Sequence, residues 1–112
     1  IIGPGISERN FEVGNEVYNA FAEAMFDMDA VAHREVKRND DAADPKDKFL
    51  MKWHINLPLC NQMLLEQAGV PKENIHDTAV CTFDNTDDYF SARRLGINSG
   101  RIYNGIFLNP KD

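Results

Sequence analysis

The sequence is poor in cysteine and has no long apolar run. Only Cys60 and Cys81 occur in 112 residues. Two cysteines cannot build a disulfide-stapled scaffold, so they read as free, buried thiols in a reducing compartment. No apolar stretch approaches the roughly 18 residues that a membrane span needs, and no signal peptide is visible. Positive charge is also scarce: 12 Lys and Arg stand against 18 Asp and Glu, for a formal net charge of -6. That balance argues against a nucleic-acid binder, which presents a basic face, and against docking on anionic lipid. Internal repeats and low-complexity tracts are absent. So are GxxxxGK[ST] and GxGxxG, which leaves nucleotide binding of those kinds unsupported. No H-x-x-x-H or C-x-x-C spacing is found.

What is present is an ordinary globular composition, 43% hydrophobic, in a length that suits one small domain with a modest core. The first residue is Ile1, and an apolar strand at the very start suggests a piece of a longer fold. Ile1-Ile2 reads as the end of a strand entering a permissive turn at Gly3-Pro4-Gly5. Gly14 to Phe26 reads as a helix, with Val17, Phe21 and Met25 at spacing four as its core stripe, flanked by Ala20 and Ala24. Gly14 or Asn15 would cap it, and Met28 and Val31 could extend it. Arg34 to Lys48 is densely charged, lacks an apolar period and reads as a solvated loop. A calcium loop is not formed there, because its alternation and glycine are missing. Asn56 to Ala68 reads as a second helix, with Asn56 as N-cap, Pro58 in the first turn and Gly69 after the end. Ile75 to Thr82 and Arg101 to Leu108 have strand character, the latter interrupted by Gly105. The order is mixed α/β with short connections, and its two or three strands are too few to complete a sheet.

Among residues that could carry chemistry, His33, His54 and His76 are expected on the surface or in capping roles rather than at a metal. Cys81 closes a predicted strand and could pair with a histidine base brought in by the fold. Arg93 and Arg94, after Tyr89-Phe90-Ser91-Ala92, form a basic cluster in an acidic chain. Paired guanidinium groups fit a phosphate through forked hydrogen bonds; ion pairs within the protein are the structural alternative.

Three segments together resemble the YfiH-like family. The first is Gly3-Pro4-Gly5-Ile6-Ser7 followed by Phe11-Glu12-Val13-Gly14. The second is Asn56-Leu57, Asn61 and Gly69-Val70 before Glu73-Asn74-Ile75. The third and most specific is Cys81-Thr82, an acidic loop, Phe90-Ser91-Ala92-Arg93-Arg94 and Ser99-Gly100-Arg101. Two positions depart from the family pattern: Asn56, where Asp is common, and Leu95, where Asp often follows the two arginines. Only the charged loop at 34–48 is unlike the family.

The resemblance implies a layered α/β/β/α arrangement, of which residues 1–112 would be the C-terminal portion of a single domain. It implies a cytoplasmic, zinc-dependent purine nucleoside phosphorylase with adenosine deaminase activity. The zinc would be held by two histidines and a cysteine in an N-terminal half, the expected partner of this chain beside purine nucleoside and phosphate. None of the histidines or cysteines here takes that role by resemblance. Arg93 and Arg94 become the expected catalytic anion clamp, and Gly5, Phe11 and Ser91 the expected substrate-binding residues. The alternatives are a copper-dependent, laccase-like polyphenol oxidoreductase and a non-catalytic half that only completes the fold. A role in peptidoglycan quality control attaches to some bacterial relatives, and nothing in these residues tests it.

Overall fold

A computed structural model describes residues 1–38, 40, 43–45 and 49–105. The architecture is α+β, a small antiparallel sheet with helices against it. In chain order the elements are β1 (Glu12–Val13), α1 (Asn15–Glu23), α2 (Met28–Val31), β2 (Ala32–Arg38), β3 (Phe49–Ile55), α3 (Leu57–Gln67), a 3-10 turn (Lys72–Asn74) and α4 (Ala92–Leu95). The sheet has the order β1-β3-β2, with β3 central. Register is set by Val13↔Trp53 on one side and Ala32↔Ile55 through Arg38↔Phe49 on the other.

Antiparallel pairing sends alternate side chains to opposite faces. Val13 and Ile55 thereby join Val31 and Cys60 in the buried core, with Phe11, Phe21, Phe26 and Trp53 packed around them. Ile55 and Val31 are fully buried. Tyr18 stacks on Trp53 at 3.9 Å between ring centroids, and the Arg34 guanidinium covers the same indole at 4.5 Å.

Helix α3 follows the sequence reading closely. The Asn56 side chain accepts from the Leu59 N–H at 3.1 Å, satisfying one of the free donors in the first turn of the helix. Its C-terminus closes with Val70 N–H on Leu65 O and Gly69 N–H on Glu66 O. Gly69 holds φ +100°, the left-handed turn that glycine adopts without strain.

Five expectations are corrected. Helix α1 ends at Glu23, and Met25 takes φ 71° and is exposed. Its inward residues are Tyr18 and Phe21 rather than the full stripe, and Val17 lies at the surface. Met28 and Val31 form a separate turn, α2, instead of extending it. The loop over 34–48 is corrected in its first part, since Arg34–Arg38 lies in β2. Charges on both faces of that strand hide its period, and pairing with β3 supplies the backbone hydrogen bonds. Ile75–Thr82 does not form a strand. It makes two isolated parallel bridges, Ile2↔Asp77 and Gly5↔Cys81, and Ala79 at φ 56° breaks the extended run between them. The Asp77 carboxylate accepts from the Ala79 N–H at 2.9 Å, a local turn that competes with pairing. Of the expected final strand, Arg101–Gly105 carries no regular structure, and 106–108 lie outside the described residues.

Candidate functional site

The two arginines sit on a short helix, α4, whose N-cap is Ser91. Arg93 donates from Nη1 to the Glu12 carbonyl and lies over the Phe11 ring at 4.9 Å. Arg94 donates from Nη1 to the Phe83 carbonyl at 3.0 Å and covers the Phe83 ring at 5.4 Å. Both side chains are exposed. Each guanidinium carries five N–H donors in a rigid fork, so a carbonyl anchor orients it without exhausting it. Ser91 is buried at 6% exposure, and its side chain makes no cap hydrogen bond. The structure thus brings Phe11, Arg93, Arg94 and Ser91 to one region around β1 and the 81–83 segment.

Gly5 lies on the N-terminal stretch, bridged to Cys81 of that segment. Its N–H donates to Val80 O at 3.3 Å, and its carbonyl accepts from Thr82 N–H at 2.9 Å. It borders an open groove of about 580 Å³ between the Gly3-Pro4-Gly5 turn and α3, where Leu57, Asn61 and Leu65 form the opposite wall. A Cβ built on Gly5 meets nothing within 4 Å, so nothing described in this chain demands glycine there. Neither arginine lines this groove.

Among the described residues, no histidine is hydrogen-bonded to Cys81, whose sulfur meets Ser7 and Asn10 instead. Burial raises its thiol pKa, but hydrogen bonds from the Ser7 side chain, then from the Ser7 N–H at 3.3 Å, the Asp84 backbone and the Asn10 amide together outweigh burial and bring the thiol below its ordinary value. The Asn10 amide lies 3.4 Å from the sulfur. Burial pushes Cys60 up against a smaller opposing backbone hydrogen bond, as suits a core thiol.

The sheet places a second group of side chains that sequence spacing did not reveal. His33 and His54 face each other across β2 and β3, and Glu35 follows two residues along on the same face. His54 is 1% exposed, which corrects the surface expectation for it. His33 remains half-buried and His76 is exposed. The rings of His33 and His54 stack at 5.1 Å. His33 Nε2 is 3.2 Å from Glu35 Oε1, and His54 Nε2 is 3.0 Å from Glu35 Oε2. Lys37 Nζ is 2.9 Å from the same Oε2. Hydrogen bonding from Lys37, then from His33, pushes the Glu35 carboxyl down to about 2. His33 is held above its ordinary value by hydrogen bonds to Glu8 and then Glu35, against the opposing effect of burial. The signal was the alternation His33-x-Glu35-x-Lys37, legible only once its partner strand and register are known.

Residues 1–109 match the family model for multi-copper polyphenol oxidoreductase laccase. The chain belongs to that family, the YfiH-like proteins. It is 41% identical over 108 residues to a purine nucleoside phosphorylase of Bacteroides thetaiotaomicron, covering 96% of this chain and 36% of the relative. It is 41% identical over 106 residues to adenosine deaminase RL5 of an unknown prokaryotic organism, covering 95% and 36%. Over 102 residues it is 31% identical to a purine nucleoside phosphorylase of Staphylococcus epidermidis, covering 91% and 34%. The chain therefore spans about a third of the length of these curated relatives. No solved structure matches it. None of the described helices is long and apolar enough to cross a membrane. The His33–Glu35–His54 group contains no cysteine, so it does not fit the two-histidine, one-cysteine zinc set that the resemblance implies.

Proposed function

We propose that this YfiH-like chain forms one wall and the anion clamp of a purine nucleoside phosphorylase that also deaminates adenosine. The observation that carries the reading is the likeness, over nearly its whole length, to relatives named for those two activities. The arginine pair supports it, standing exposed and carbonyl-anchored in an otherwise acidic chain.

In phosphorolysis a phosphate oxygen bonds to C1′ of the ribose while the C1′–N9 bond breaks. The base leaves with that electron pair and takes up a proton, and ribose 1-phosphate is the second product. The requirement placed on this chain is electrostatic. Arg93 and Arg94 hold the phosphate and offset the charge that redistributes between it and the sugar. Phe11, beneath Arg93, offers an aromatic face to the base. The Gly3-Pro4-Gly5 turn admits close approach of a ligand, consistent with the open space over Gly5, and Ser91 supplies a hydroxyl beside the clamp. Zinc, on this reading, is bound by residues outside this chain, in the remaining two-thirds of the protein. That portion also completes the layered α/β/β/α arrangement. The two free thiols fit a cytoplasmic setting.

The copper-oxidoreductase reading draws on the printed family description. Copper sites favour sets rich in histidine, cysteine or methionine, and the one His, Cys, Asp or Glu group among the described residues, His33–Glu35–His54, holds no cysteine. Turnover of inosine and adenosine by the full-length protein decides the matter. Phosphate-dependent release of base with ribose 1-phosphate is expected. Oxidation of phenols without any nucleoside turnover would overturn the reading.

A further inference from the structure

The geometry points to a divalent transition-metal site on this chain itself, formed by His33, Glu35 and His54, with zinc as the ion best matched to its donors. The inference is independent of the nucleoside reading and rests on three observations.

The first is spacing. Tetrahedral zinc with bonds of about 2.0–2.1 Å places neighbouring donor atoms about 3.3 Å apart. The two Nε2 atoms lie 3.2 Å from Oε1 and 3.0 Å from Oε2 of the same Glu35 carboxylate. All three donor atoms lie within 4.8 Å of one another, so a small adjustment of half-exposed Glu35 and His33 closes the set.

The second is orientation. His33 Nδ1 lies 2.7 Å from Glu8 Oε1, and His54 Nδ1 lies 2.9 Å from the Glu8 carbonyl. The carbonyl makes Nδ1 of His54 the donor, which leaves its Nε2 lone pair free, and the Glu8 carboxylate holds the His33 ring with Nε2 toward Glu35, able to ligate once the proton it shares there leaves. This is the outer-sphere arrangement that metal-ligating histidines show. A single residue, Glu8, orients both rings.

The third is an unpartnered atom. His54 is buried, and its Nε2 makes no hydrogen bond; the nearby Glu35 oxygen at 3.0 Å lies outside hydrogen-bonding geometry. A buried polar atom without a partner is costly and rare in folded proteins, so it signals a missing ligand. A metal ion would use that lone pair.

Charge also balances. Glu35 is now neutralised by the Lys37 ammonium and by the proton shared with His33. A dication replaces both: the His33 proton leaves, and Lys37 moves to Glu12, whose carboxylate is already 3.7 Å away. Three protein donors leave a fourth position for water or for Glu12, which is 3.9 Å from His54 Nε2.

The test uses the full-length protein stripped by a chelator. Zinc uptake is then followed by competition with a chromophoric chelator in wild type, His33→Ala and Glu35→Gln, with circular dichroism to verify folding. His33→Gln stands in should the alanine variant unfold. Wild type is expected to bind one more equivalent of zinc than either variant, or to bind it at least tenfold more tightly. Glu8→Gln should weaken that equivalent by about 10–100-fold. Cobalt(II) loading should give a visible absorption band in wild type that both ligand variants lose. Equal stoichiometry and affinity in wild type and both folded ligand variants overturn the site, whatever the nucleoside assay shows.

Discussion

Ile55→Ala is the sharpest probe of the core, because Ile55 is fully buried and sits between His54 and Asn56 at the end of β3. The substitution removes three carbons. At about 0.8 kcal/mol per buried CH₂ the transfer loss is about 2.4 kcal/mol. Val13, Val31 and Cys60 surround the site, and their backbones are tied into β1, α2 and α3, so collapse into the void is limited. The residual cavity brings the expected cost to about 3–4 kcal/mol, inside the range of about 2–5 found for such truncations. Ile55→Val deletes one carbon and should cost about 0.5–1.5 kcal/mol. The assay is urea unfolding of the full chain, read as a fall in midpoint at unchanged slope. If Ile55→Ala costs less than Ile55→Val is expected to cost, the residue is not in a packed core and the placement of β3 is wrong.

Asn56→Ala should cost about 1 kcal/mol, since it leaves the Leu59 N–H without its acceptor; a change indistinguishable from zero in the same unfolding assay would refute the cap. The His33 imidazole should titrate above its ordinary value of 6.5, and Glu8→Gln or Glu35→Gln should each lower it in an NMR pH titration. Because the folded value is raised, its contribution to stability is present below pH 6.5 and is lost as pH rises through the folded value. Glu35 has the opposite sign. Its contribution is present above 4.5 and fades as pH falls from there through about 2. A His33 titration at or below 6.5 would contradict the Glu8–His33–Glu35 bridge.

Helix α3 was readable because each of its signals is local: a capping Asn, an early Pro, an apolar face and a terminal Gly. The arginine cluster was readable as a composition anomaly, though not that Phe11 and Phe83 would lie beneath it. β2 was hidden for a physical reason. His33 to Arg38 carries charge on both faces, so no apolar alternation marks it, and only pairing across the sheet gives it order. The same fact concealed the histidine pair, whose proximity depends on the register His33↔His54 and not on any spacing along the chain. At 75–82 local chemistry misled in the other direction. Apolar residues suggested a strand, whereas the Asp77 turn and the left-handed Ala79 reduce it to two single bridges with the N-terminal segment.

The most direct measurement is the phosphate dependence of inosine cleavage by full-length enzyme carrying Arg93→Ala or Arg94→Ala. Charge-assisted hydrogen bonds are worth about 1.5–3 kcal/mol each, so kcat/KM for phosphate should fall about 10–100-fold in at least one variant. Wild-type phosphate KM and kcat in both would contradict the anion clamp.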